Sequence, residues 1–79
     1  MIEQKPITID DFEFDREGDV VTILCELAKY EARYNADSLK VALGNWKRTN
    51  QDHLTLNRGV STIVDRRVWI NVLEKALKQ

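Results

Sequence analysis

Hydrophobic positions between residues 20 and 34 recur every three or four residues. One stripe consists of Val20, Ile23, Leu27, Tyr30 and Tyr34, and a second of Val21, Cys25, Ala28 and Ala32. This spacing places each stripe on one face of a helix, and the segment ELAKYEAR is rich in helix-forming residues. The pattern therefore predicts a helix over residues 19–34, with Asp19 as its N-cap.

The beginning of the same segment also fits a β-strand, because its β-branched residues favour extended structure. The alternating apolar face of that strand would consist of Val21, Ile23, Cys25 and Leu27. Gly18, at the end of DREG, suits a turn that joins the strand to the preceding residues. A hairpin over residues 7–27 is therefore the alternative, and the helix is favoured because its pattern continues to Tyr34.

Residues 1–18 are predicted to form an extended acidic arm. Apolar and polar residues alternate within PITIDDFEF, with a change of phase at the pair Asp10 and Asp11. Two further helices are predicted over residues 37–50 and 61–78, because apolar residues again recur at helical spacing there. Residues 53–64 fit a small hairpin as an alternative to the start of the last helix.

These elements give the expected fold class: mostly α, a compact three-helix domain with a short extended N-terminal arm or minor β pairing. An α+β fold with hairpins at 7–27 and 53–64 is the alternative. At 79 residues the chain is expected to form a single small globular domain over 1–79.

The net charge of −1 conceals an uneven distribution along the chain. Residues 1–32 contain nine acidic and three basic residues, whereas residues 33–79 contain nine basic and four acidic residues. Such asymmetry indicates either a charged partner or charges that are satisfied within the fold.

Few residues are suited to catalysis or to metal binding. The chain has one cysteine, Cys25, and one histidine, His53, which are too few for a zinc site. The three glycines are scattered, so no phosphate-binding loop is recognisable. We therefore expect no enzymatic activity, no metal and no cofactor. The unpaired cysteine and the lack of a leader or a long apolar run favour a cytoplasmic protein.

Two groups of residues are candidates for contact with a partner. The first lies on the second predicted helix, where Gly44 would allow another backbone to approach closely; it comprises Lys40, Val41, Gly44, Lys47 and Arg48. The second pairs Arg66 and Arg67 with acidic residues of the arm. If the last helix begins at Asp65, the two arginines lie at its positive N-terminal end, which is electrostatically unfavourable. A nearby anion would explain them, and the arm offers Asp10, Asp11 and Glu13.

The favoured hypothesis is a non-enzymatic protein-protein interaction module: a small helical regulator, inhibitor, adaptor or assembly factor that acts through charged surfaces and can form a homodimer. The alternative is a nucleic-acid-binding protein that uses the basic C-terminal half, including Lys40, Lys47, Arg48, Arg58, Arg66 and Arg67. Interaction with a membrane is not expected.

Overall fold

The computed structural model describes residues 7–57 and 60–79. A short 3-10 turn at Ile9–Asp11 precedes strands β1 (Glu13–Glu17), β2 (Val20–Cys25) and β3 (Tyr30–Asn35), which form one antiparallel sheet in that order. Helix α1 (Ala36–Arg48) follows, then the antiparallel pair β4 (His53–Asn57) and β5 (Val60–Asp65), and finally helix α2 (Arg66–Leu77). The fold is α+β, so the prediction of a mostly α, helical three-helix domain is wrong.

The helix predicted over 19–34 is absent, and two strands and a turn stand in its place. Val21, Ile23 and Cys25 all point to one side of β2 and are buried, as the period of two in a strand requires. The helix-forming residues Glu26–Lys29 make a single turn, in which the Lys29 amide donates to the Glu26 carbonyl over 3.1 Å. Lys29 has a positive φ of 53°. A tight turn without glycine, proline or asparagine thus resembled a helix in the sequence.

Gly18 and Asp19 form the two-residue turn of the first hairpin, in which Glu17 pairs with Val20. Gly18 has a φ of 59° and Asp19 is not in the left-handed region, which fits a type II′ turn with glycine at its first central position. Asp19 is therefore not a helix N-cap. The predicted acidic arm also needs correction, because Glu13–Glu17 is an edge strand of the sheet. Residues 1–6 of the arm lie outside the described residues.

The C-terminal helix begins later than its predicted range of 61–78 implies. Residues up to Asp65 belong to β5, and the Asp65 carboxylate accepts a hydrogen bond of 2.8 Å from the Arg67 amide as the N-cap of α2. Where a helix was predicted over 37–50, α1 spans Ala36–Arg48. Its N-cap is Asn35, whose side chain accepts a 2.8 Å hydrogen bond from the Ser38 amide.

Both helices pack on the same side of the three-stranded sheet. Trp69 of α2 is 3% exposed and lies among aromatic rings from two other parts of the chain. Its ring centroid lies 5.9 Å from that of Phe12 and 6.0 Å from that of Tyr30, distances typical of favourable aromatic pairs. The remaining buried apolar residues are Ile7, Val21, Ile23, Cys25, Ala28, Leu39, Val64, Val72, Leu73 and Ala76. One core therefore joins both helices, the sheet and the second hairpin.

Arg66 connects the end of α1 to the beginning of α2. Its Nε donates to the Trp46 carbonyl and its Nη2 to the Lys47 carbonyl, each over 2.9 Å. These carbonyls belong to the last turn of α1, where the helix itself provides no donors. The Arg66 amide also donates to the Asp52 carbonyl over 2.8 Å. The cation at the start of α2 therefore interacts with the negative end of α1, which offsets its unfavourable position.

Replacement of Arg66 by alanine should lower the free energy of unfolding by about 1.5–3 kcal/mol, because two backbone acceptors lose a charged donor. Urea denaturation monitored by tryptophan fluorescence would measure the change. The matched control is Arg67→Ala, since Arg67 is adjacent and exposed, and it should change stability by less than about 0.5 kcal/mol. Equal losses in the two variants would contradict the capping role of Arg66.

Two of the described residues, Gly18 and Lys29, have a positive φ and should respond differently to substitution. Gly18→Ala should destabilise the protein by about 1–3 kcal/mol, because an L-residue rarely adopts the positive φ that this turn position requires. This cost is purely conformational, because an added Cβ would meet no atom within 4 Å. Lys29→Gly should change stability by less than about 1 kcal/mol, because relief of strain is offset by the entropy of glycine in the unfolded chain. Thermal unfolding would test the pair, and a larger loss for Lys29→Gly would refute this account.

Candidate functional site

The side of the three-stranded sheet that faces away from the helices is open to solvent. Alternate residues of each strand point to this side, which we call the open face; it comprises Glu13, Asp15, Glu17, Val20, Thr22, Leu24, Glu31 and Arg33. These residues, together with Phe14, line a shallow trough of about 760 Å³. Antiparallel sheets commonly leave one face solvated, but such a face is usually polar throughout. This one is not.

The central strand gives the open face an apolar strip. Val20 is 40% exposed and Leu24 is partly exposed, with Thr22 between them on β2. Leu27, in the turn that follows β2, is 61% exposed. Carboxylates flank this strip: Glu17 lies directly across from Val20, and Glu13 from Leu24. The result is an apolar strip with an acidic border along β1.

The negative charge of the border is not balanced by ion pairs within the described part of the chain. On β3, Glu31 and Arg33 pair with each other at 3.7 Å between Oε2 and Nη2, so their charges largely cancel. No ion pair among the described residues involves Glu13, Asp15 or Glu17. Three like charges on alternate residues of one strand repel each other, and a cation brought against them would relieve that repulsion.

Four of the five candidate residues on α1 lie on its solvent side. Val41 is 63% exposed, while Lys40 and Arg48 are exposed and Gly44 is partly exposed. The Arg48 side chain folds back along the helix, where its Nη2 donates to Asn45 Oδ1 over 3.2 Å. Lys47 is turned toward α2 and pairs with Glu74 at 3.7 Å. The outward group, which we call the α1 patch, is therefore Lys40, Val41, Gly44 and Arg48.

The structure does not bring the other predicted contact residues together. Asp11 accepts hydrogen bonds from the Thr8 amide over 2.9 Å and from the Thr8 hydroxyl over 3.4 Å, and so closes the short turn before β1. Asp10 is exposed on that turn. Arg66 is bound to the end of α1, so neither acid serves as its counterion. Arg67 is exposed beside it, and Glu13 belongs to the open face.

The apolar strip of the open face escaped the sequence-based prediction. The helix predicted over 19–34 places Val20 on one of its apolar stripes and gives Leu24 no role. The signal was the run VVTILC, in which a strand exposes every second residue and buries the others. Its outward face carries Val20 and Leu24 on either side of Thr22, whereas the solvent-exposed face of such a strand is usually polar.

Cys25 is fully buried, and among the described residues no group of three or more His, Cys, Asp and Glu side chains could hold a metal ion. The hydroxyls of Tyr30 and Tyr34 share a hydrogen bond of 3.3 Å on the covered side of the sheet. Neither helix in the described structure is long and apolar enough to cross a membrane.

Comparison with known proteins provides no relative for this chain. No protein-family model, no curated protein and no solved structure matches it. The case for function therefore depends on the surface of the molecule.

Stability should fall as the pH rises above about 10, because the pKa of Tyr30 is raised well above its ordinary value, mainly by burial and further by the Tyr34 hydroxyl. The unfolded chain then loses this proton at a lower pH than the folded chain, so ionisation favours unfolding. The Tyr30 contribution stays below the limit of about 1.4 kcal/mol per pH unit, because the side chain is only partly buried and solvent screens its charge. Urea denaturation from about pH 9 to about pH 12, the range around the ordinary tyrosine pKa, should show a shallower decline for Tyr30→Phe. Identical slopes would contradict the assignment.

Proposed function

We propose that this protein is a non-enzymatic protein-binding module whose open face binds a positively charged surface of another protein. The observation that carries the proposal is the exposed apolar strip of β2 beside the carboxylates of Glu13, Asp15 and Glu17, which form no ion pair with the described residues. An apolar centre with a charged border is the usual composition of a protein-protein interface. The acidic border selects a partner whose surface is positively charged, and the attraction speeds association.

The structure favours this partner over a nucleic acid. Phosphate binding would depend on the cations of the C-terminal half, yet Arg66 is bound to backbone carbonyls and Lys47 is paired with Glu74. Arg58 lies outside the described residues. The open face, in turn, would repel phosphates. A fully buried, unpaired Cys25 suits a reducing compartment, so we place the activity in the cytoplasm.

Affinity capture of the tagged full-length chain from its own cells, followed by mass spectrometry, tests the proposal. The variant Glu13→Lys/Glu17→Lys reverses two charges of the acidic border and should reduce recovery of the partner by tenfold or more, because like charges across an interface cost several kcal/mol. Nuclease treatment should leave the recovery unchanged.

The matched control is Asp10→Lys/Asp52→Lys, which changes the net charge equally at two exposed residues away from the open face. It should recover as much partner as the wild type. Both variants should retain the unfolding free energy of the wild type within about 0.5 kcal/mol, since the altered residues are at the surface. Equal loss in both variants, or recovery that disappears with nuclease, would disprove binding through the open face.

A further inference from the structure

We propose that a second copy of this chain docks on the open face through its α1 patch. This inference rests on the proposed function, since it names a partner for the same surface. The patch carries the opposite charge to the acidic border and, like the open face, exposes a valine among charged residues. Both surfaces belong to one chain and both are available to solvent in it.

The two charged rows have similar lengths. Glu13, Asp15 and Glu17 are alternate residues of β1, so the first and last lie about 13 Å apart along the strand. Lys40, Gly44 and Arg48 follow one another at intervals of four residues on α1, so Lys40 and Arg48 lie about 12 Å apart along the helix. A helix laid along the strand therefore brings one cation to each end of the acidic row.

The middle of the helix row suits close contact. Gly44 has no side chain, and a Cβ there would lie 4.0 Å from Nη2 of Arg48. Arg48 is held across this position by one exposed hydrogen bond to Asn45, which a carboxylate of the other copy can replace with a stronger charged partner. Val41, on the neighbouring row, then reaches the apolar strip.

The two surfaces lie on different sides of the molecule, because both helices pack against the covered side of the sheet. The contact is therefore heterologous: each copy that docks leaves one open face and one α1 patch free. Assembly should continue beyond two copies as concentration rises. A different cationic partner would compete with the α1 patch for the same carboxylates.

Analytical ultracentrifugation of the full chain across a concentration series provides the first measurement. The average mass should rise continuously with concentration at low salt and return to that of the monomer at about 1 M salt, where charges are screened beyond roughly 3 Å. A monomer at every concentration would overturn the inference. An assembly that stops at two copies would also overturn it, because it would require an isologous contact.

A charge exchange identifies the surfaces. Glu13→Lys/Glu17→Lys makes the open face positive, and Lys40→Glu/Arg48→Glu makes the α1 patch negative; each variant alone should associate at least tenfold more weakly than the wild type. An equimolar mixture should recover association, because each reversed surface then meets its complement in the other variant. Failure of the mixture to associate would overturn the assignment of the two surfaces.

Two control variants keep the same net charges without altering either surface. Asp10→Lys/Asp52→Lys and Arg67→Glu/Lys78→Glu should self-associate like the wild type, and loss of assembly in either would show an effect of net charge alone and overturn the inference. The result also separates this inference from the proposed function. If the wild type is monomeric but its capture of another protein still requires Glu13 and Glu17, only the inference of self-association is overturned.

Discussion

The packing of α2 against the inner side of β2 is the interaction on which the other features depend. Val21, Ile23 and Cys25 are buried beneath the helices, with Trp69 between the sheet and the turn that precedes β1. A chain of 79 residues has only two helices in its described part, and both are used on this side. None of the described elements forms a layer on the opposite side of the sheet, where Val20 and Leu24 remain at least partly exposed.

Because the helices cover only one side of the sheet, the charged residues have different roles in different parts of the molecule. Arg66 neutralises the end of α1, and Arg16 reaches the backbone oxygen of Gln79, so both arginines stabilise the fold. The carboxylates of β1 stabilise nothing comparable among the described residues. Charged side chains also protect an edge strand from pairing with other chains, and the acidic residues of β1 serve this purpose whether or not a partner is bound.

The sequence predicted local features better than it predicted the fold. The amphipathic residues around Leu39 and around Leu73 were correctly read as helical, because a helix of three turns gives a repeated signal. The prediction of a helix over 19–34 was wrong because its apolar residues are spaced three and four apart. This spacing arises from a strand, a turn of helix-forming residues and a second strand. A turn that contains Lys29 in the left-handed region has no sequence signal comparable to that of Gly18.

The candidate site was predictable only in part. Glu13 was singled out for its charge, and Lys40, Val41 and Gly44 for their position on a helix. The open face itself requires knowledge of strand pairing, because Glu17 becomes a neighbour of Val20 only when the chain folds back at Gly18. The role of Arg66 was equally hidden, since its acceptors are backbone carbonyls of a helix that ends 18 residues earlier in the chain. Backbone acceptors have no sequence signature.

The buried position of Cys25 makes its thiol a chemical probe of motions that open the core. Its thiol is fully buried between the sheet and the helices, and it is the only cysteine in the chain. A thiol reagent can reach the sulfur only when the sheet separates from its cover, so the modification rate measures the opening of the core. Docking on the outer side of the sheet does not touch the sulfur. If the Cys25 thiol is modified more slowly in an assembled state, a contact on the open face must stabilise the core on the opposite side of the same sheet.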